Sequence, residues 1–141
     1  MKKTFFLISL ILLSSFVCAQ EKDIMTFTET THDFGTVHEE SGRVSYVFTF
    51  TNNSMTPITL RNVKASCGCT TPEWSKEPVK PGETGKITVS YATKGRPGTF
   101  QKSITITANA GVNDFTKRIY IKGQVVPAST TELVPIKKNN A

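Results

Sequence analysis

The chain has 141 residues, 38% of them hydrophobic and 20% charged, and its formal net charge is +6. This composition fits one globular domain with a buried core and excludes a disordered or fibrous protein. The lysines are scattered, and residues 137–138 are the only adjacent pair of lysines outside the N-terminal leader. Without a basic stripe, we expect no nucleic-acid binding.

The N-terminus has the composition of an export leader. Two lysines precede an apolar run over residues 5–13, and small residues follow. This pattern predicts a signal peptide over residues 1–19, cleaved between Ala19 and Gln20. The apolar run is shorter than the roughly 20 residues of a spanning helix, so we expect no transmembrane segment after cleavage. The protein is then periplasmic or secreted, and a lipoprotein anchored through Cys18 is the alternative.

Beyond the leader, apolar and polar residues alternate in short segments that turn-forming residues separate. Val44, Tyr46 and Phe48, for example, alternate with residues that are mostly polar, which is the period of a strand with one buried face. The segments predicted as strands cover residues 24–28, 34–37, 43–51, 58–60, 87–91, 104–106 and 115–121. Clusters of Gly, Pro and Asn between them indicate turns.

These segments predict the fold class. About seven short antiparallel strands are typical of an all-β immunoglobulin-like sandwich, here over residues 20–126. A closed barrel stays open as an alternative, because the period of two does not exclude it. The alternation ends at Val126, and residues 127–141 are rich in Thr, Pro, Lys and Asn. We therefore expect a flexible C-terminal tail.

Five short motifs occur in a characteristic order: HDFGTV, FTFTN, SCGCTTPEW, PG followed by GKI, and GTF. In this order they resemble the bacterial family named domain of unknown function 1573, over roughly residues 27–126. The residues of the two most specific motifs are His32, Asp33, Phe34, Gly35, Ser66, Cys67, Gly68, Cys69, Thr70, Pro72 and Trp74. The resemblance implies an immunoglobulin-like fold, similar to ciliary (hydin-type), major sperm protein and pilus chaperone domains. It also implies export by bacteria of the Bacteroidetes type, and no assigned activity.

Cys67 and Cys69 are the cysteines that remain after cleavage, and one glycine separates them. Gly68 lets the backbone tighten without a Cβ clash, so the Cα atoms can reach the roughly 4.4–6.8 Å that a disulfide needs. An oxidising compartment favours this bond. Its very small ring removes little entropy from the unfolded chain, which makes it a weak and reducible link. A structural disulfide, a redox pair and a metal-binding pair are the three roles open to it.

Two thiolates suit copper(I) or half of a zinc site, for which His32 and His38 are the candidate further ligands. Nothing in the sequence brings these histidines to the cysteines, and we expect no metal and no cofactor. Asp33 is expected to hydrogen-bond the backbone in the turn at Gly35. Trp74 is expected to lie in or beside the core, and an exposed anchor for a partner is the alternative.

The sequence contains no recognisable catalytic set, since it has no Ser-His-Asp order, no paired carboxylates on a strand and no glycine-rich phosphate loop. We therefore expect a non-enzymatic binding or structural module of the cell envelope. Its expected partners are unidentified envelope proteins that pair a strand with an open sheet edge. A thiol-redox or copper- or zinc-binding protein that uses Cys67 and Cys69 is the alternative.

Overall fold

The computed structural model describes residues 23–128. The predicted leader, its cleavage site and residues 129–141 of the predicted tail lie outside this range. The described part contains no helix with the length and hydropathy of a membrane span. Its strands, in chain order, are β1 (Met25–Phe27), β2 (Thr31–His38), β3 (Arg43–Asn52), β4 (Ile58–Ala65), β5 (Thr70–Trp74), β6 (Thr84–Ala92), β7 (Gly98–Ala110) and β8 (Asn113–Val126).

The strands form two four-stranded sheets that face each other as a sandwich. The first sheet has the order β1-β3-β6-β5, and the second has the order β2-β8-β7-β4. The all-β immunoglobulin-like architecture predicted from the alternation is therefore confirmed. Each sheet has two edge strands, which are β1 and β5 in the first sheet and β2 and β4 in the second.

The core lies between the sheets and follows the alternation in the sequence. Because successive side chains of a strand point to opposite faces, every second residue of the long strands faces inward. The largest fully buried side chains are Phe48, Phe50, Met25, Ile58, Ile87, Ile104, Ile106, Ile119, Ile121, Val89, Val125 and Asn52. Gly85 pairs with Phe50 across β3 and β6, and a Cβ on this glycine would overlap the Phe50 ring.

The structure differs from the predicted fold in two details. The sandwich has eight strands, one more than the seven predicted segments, because Thr70–Trp74 forms the strand β5. This segment has five residues, includes Pro72 and lacks a clear apolar alternation, so its extended state depends on pairing with β6. The pairing is also not entirely antiparallel, since β2 runs parallel to β8.

The parallel pair arises because the chain changes sheets near its start. β1 pairs with β3 in the first sheet, and after the short connection at Thr28–Thr30 the chain continues as β2 beside β8. Two side-chain contacts stabilise this passage from the first sheet to the second. The Tyr46 ring stacks on His32 with centroids 3.5 Å apart, and the Glu29 carboxylate accepts a hydrogen bond from the Tyr46 hydroxyl at 3.1 Å. Burial and this carboxylate raise the pKa of Tyr46.

Candidate functional site

The cysteine motif connects the two sheets. Cys67 and Cys69 lie between β4 of the second sheet and β5 of the first, and a disulfide joins them with Cα atoms 5.3 Å apart. Ser66 anchors the start of the loop, because its N–H donates to the Ser103 carbonyl at 2.9 Å. The expectation that Gly68 avoids a Cβ clash is wrong, because a Cβ at this position would meet nothing within 4 Å.

A hydroxyl lies beside both sulfurs. Thr70 is 4% exposed, and its Oγ1 is 3.5 Å from the Cys67 sulfur and 3.9 Å from the Cys69 sulfur. Both cysteines are half-buried, so solvent reaches part of the bond. The sequence places Thr70 in the motif but does not indicate this contact, which depends on the turn of the loop.

The histidines lie far from the cysteines in the strand order. His32 and His38 are on β2, at one lateral edge of the sandwich, whereas the cysteine loop joins β4 and β5 at the opposite edge. The Nδ1 atom of His32 lies 3.2 Å from a Glu29 carboxylate oxygen. Within residues 23–128, no group of three or more His, Cys, Asp and Glu side chains could hold a metal ion.

Asp33 makes the turn contact that the motif predicts. Its Oδ1 accepts a hydrogen bond from the Gly35 N–H at 2.8 Å, and Gly35 has the positive φ of 63° that favours glycine. This backbone hydrogen bond, together with Lys122, holds the pKa of Asp33 below its usual value. The turn shifts the register of β2 against β8 between Asp33 and Thr36. Phe34, between them, packs on the core.

Trp74 is half-buried and packs on the core, as expected. Its indole nitrogen is buried without a hydrogen-bond partner in the described part of the chain. The side chain lines an open groove of about 590 Å³ together with Glu73, Pro78 and Lys86. The groove mixes acidic, basic and apolar groups, and no set of them converges on one chemistry.

The edge of β5 is blocked against strand pairing. The Ala92 N–H donates to the Cys69 carbonyl, so Cys69 directs its backbone groups toward β6. Because this direction alternates along a strand, Pro72 has its ring nitrogen on the outer side. Proline has no N–H, and its presence on an outward position is a known protection of sheet edges.

The edges of the second sheet are interrupted as well. In β4, the register against β7 shifts between Leu60 and Asn62, and the Ile58 backbone is already paired with Val79. In β2, the turn at Gly35 breaks the outer edge in the same way. Bulges of this kind twist an edge away from regular pairing.

One half of β3 has no such protection. β1 pairs with β3 only from Phe50 to Asn52, and one further bond runs from the Thr28 N–H to the Thr49 carbonyl. Since Thr49 faces this side, the backbone N–H and C=O groups of Arg43, Ser45 and Val47 face it too. Within residues 23–128 these groups have no partner on this side. We call the outward backbone of these three residues the open edge.

The side chains beside the open edge are incompletely covered. On the core face of β3, Phe48 and Phe50 are at most 1% exposed, whereas Val44 and Tyr46 are only half-buried. On the outer face, Val47 is 44% exposed although it is large and apolar. β1 thus covers β3 only near the C-terminal end of β3. Residues 43–47 present both free backbone groups and apolar side chains.

The amino-acid sequence does not reveal the open edge. It predicts a strand over residues 43–51 and an opening strand over residues 24–28. Which residues of the longer strand are paired with the shorter one depends on the register between them, and the sequence does not give this register. The one local signal is Val47, which interrupts the polar side of the alternation.

Solved structures resemble this fold at low sequence identity. The PapD-like domain 7 of human CEP192 has a TM-score of 0.62 and 9% identity, over 74% of this chain and 87% of that chain. A protein of unknown function from Porphyromonas gingivalis W83 has a TM-score of 0.59 and 17% identity, over 72% and 46%. The E. coli chaperone DraB has a TM-score of 0.53 and 10% identity, over 72% and 55%. This chain spans about half of each of the last two.

Among curated proteins, none matches this sequence. The family described as "Protein of unknown function (DUF1573)" matches residues 25–125, which is the sandwich from the start of β1 to the last residue but one of β8. This match agrees with the motif resemblance and covers most of the chain, so the protein belongs to the DUF1573 family.

Proposed function

We propose that this protein is a non-enzymatic protein-binding module of the bacterial cell envelope, which pairs one extended segment of a partner protein with the open edge. The observation that carries the proposal is the open edge of β3, which lacks a strand partner within residues 23–128. The edges of β5, β4 and β2, by contrast, are interrupted by a proline or a bulge. Main-chain hydrogen bonds provide affinity in this binding mode, and side chains at alternate positions provide specificity. The likeness to a chaperone fits a protein partner.

Localisation to the cell envelope is part of the proposal. It is supported by the predicted leader and by the family resemblance, which implies export. The mass of the protein purified from its native host tests it, since a mature chain is expected to begin at Gln20. A lipid on Cys18 would instead show an anchored protein, and an intact Met1 would show that it is not exported.

Crosslinking tests the use of the open edge. A photo-reactive side chain placed at Ser45, which is exposed on the open edge, should form adducts with a protein in an envelope extract. The same group at Glu73, exposed on the proline-blocked β5, is the matched control and should form few adducts. Adducts are quantified by mass spectrometry, which also shows whether the crosslinked peptide comes from one extended segment.

The second arm adds Val47→Pro to the Ser45 probe. The Val47 N–H is not used by β6, so proline removes an outward donor without breaking the existing ladder, as Pro72 does on β5. We expect the adducts to fall at least about tenfold while the melting temperature changes little. A tenfold loss of affinity corresponds to about 1.4 kcal/mol of binding free energy. Adducts that survive Val47→Pro, or form equally at Glu73, would refute binding at the open edge.

Thiol-redox activity is the second candidate, and the Thr70 hydroxyl beside both sulfurs favours it. A hydroxyl there can donate a hydrogen bond to a thiolate and stabilise the reduced pair. We expect no catalysed reduction of insulin by dithiothreitol, and the double change of Cys67 and Cys69 to serine should cost at most about 1–2 kcal/mol because the ring is small. Catalysis by the wild type that the double variant lacks would reverse this ranking.

A further inference from the structure

We infer that the segment bound at the open edge has five residues in a defined pattern: apolar, apolar, small hydroxyl, apolar, acidic, from its N- to its C-terminus. The inference rests on the proposed function and names the chemistry of the partner. It follows from the side chains that flank the open edge, because a paired strand places each of its residues directly opposite one residue of β3.

The core-facing positions require apolar side chains. Val44 and Tyr46 point to the core side of β3, yet both are only half-buried. Phe34 and Val37 of β2 are also half-buried and pack on the same core. A strand beside β3 would place two of its side chains on this side, opposite Val44 and Tyr46, where apolar groups gain from burial.

The outer-facing positions differ from one another. Ser45 shares a hydrogen bond with Ser90 across the sheet at 2.9 Å, so a small hydroxyl fits opposite it. Val47 is 44% exposed and favours an apolar or β-branched neighbour. Arg43 is exposed, and its guanidinium donates one long hydrogen bond, to the Thr71 hydroxyl at 3.5 Å, while none of the ion pairs within residues 23–128 involves it. A carboxylate opposite Arg43 is therefore the favourable choice.

The direction of the bound segment relative to β3 sets the order of these residues along the segment. β3 pairs antiparallel with both β1 and β6, and antiparallel pairing is somewhat more stable for each residue than parallel pairing. In an antiparallel segment the first of the five residues lies opposite Val47 and the last lies opposite Arg43, which gives the stated pattern. The segment is too short to add to the whole of β3, because β1 occupies the positions from Phe50 onward.

A second copy of this chain fits the pattern poorly. Centred on Ser45, an antiparallel pair of β3 strands places Arg43 of one copy opposite Val47 of the other. Each guanidinium then lies beside an aliphatic side chain, and neither gains a carboxylate. The charge of the open edge thus favours a different protein with an acidic residue at this position.

The experiment uses synthetic peptides with blocked ends and the ¹⁵N-labelled protein, expressed as residues 1–141 so that the cell performs any leader cleavage. The peptide TVVSVET carries the pattern. TVSVVET has the same composition with the serine moved to the position opposite Tyr46, and TVVSVKT replaces the acid by lysine. Titration followed by NMR gives each dissociation constant, and hydrogen exchange reports on individual amides.

We expect TVVSVET to bind at least fivefold more tightly than TVSVVET and more tightly than TVVSVKT, with added salt reducing only the second difference. Exchange of the Ser45 and Val47 amides should slow at least tenfold in the complex, and Val47→Pro should abolish the binding. Equal affinities for TVVSVET and TVSVVET, or shifts confined to other surfaces, would overturn the inference.

Two further results would also overturn it. Protection of the Ser45 amide that rises with protein concentration would show that a second copy occupies the edge. Protection lost on removal of residues 129–141 would show that the chain's own C-terminus occupies it. If the peptides fail while the Ser45 crosslinks still depend on Val47, then strand binding at the open edge stands and only the partner chemistry is wrong.

Discussion

Phe48→Ala is expected to lower the free energy of unfolding by about 3–5 kcal/mol, the usual cost of truncating a buried phenylalanine. Phe48 is 1% exposed at the centre of β3, and its ring makes an edge-to-face contact with Tyr46 at 4.9 Å between centroids. Removing the ring loses its transfer free energy and leaves a cavity that the close-packed strands cannot fill completely.

Urea denaturation measures the change. Since the slope of such curves is about 1–3 kcal/mol per molar urea for small proteins, the midpoint should fall by more than about 1 M at an unchanged slope. Met55→Ala is the matched control, because Met55 is 92% exposed, and its midpoint should stay within error of the wild type. A similar loss in both variants would contradict the assignment of Phe48 to the core.

Asn52→Ala is expected to cost about 2–4 kcal/mol, although asparagine is not a core residue by type. The Asn52 side chain is fully buried, and its Nδ2 donates to the carbonyls of Thr56 and Val79, both at 2.8 Å. Its Oδ1 accepts hydrogen bonds from the Ser54 N–H and hydroxyl at 2.9 and 2.7 Å. Truncation leaves the Ser54 N–H without a partner, whereas the Thr56 and Val79 carbonyls each keep one hydrogen bond, from the Ser54 hydroxyl and the Ile58 N–H. The cost combines the buried unsatisfied N–H, about 1–3 kcal/mol, with the other lost hydrogen bonds at about 0.5–1.5 kcal/mol each.

The measurement is again the free energy of unfolding, with Asn62→Ala as the control. Asn62 lies exposed in β4, and its side chain makes no hydrogen bond within residues 23–128, so its replacement should change stability by less than about 0.5 kcal/mol. A loss at Asn52 no larger than that at Asn62 would mean that water satisfies the loop carbonyls without the side chain.

Several features of this protein were determined by local sequence alone. The alternation over residues 43–51 fixed which side chains of β3 face the core, because in a strand this depends only on the period of two. The order of motifs gave the family, and it was confirmed over residues 25–125. The geometry needed for a Cys67–Cys69 bond was also foreseeable, since residues two apart are always close in space.

Other features were decided only by the tertiary structure. Whether β3 has a free edge depends on where β1 stops against it, and the parallel pairing of β2 depends on contact with β8, some ninety residues later in the chain. The burial of Asn52 follows from the Val79 carbonyl, 27 residues away. Such pairings are set by the register and crossing of distant strands. A residue's own neighbours in sequence fix its face of the sheet, but they do not fix which strand, if any, lies beside it.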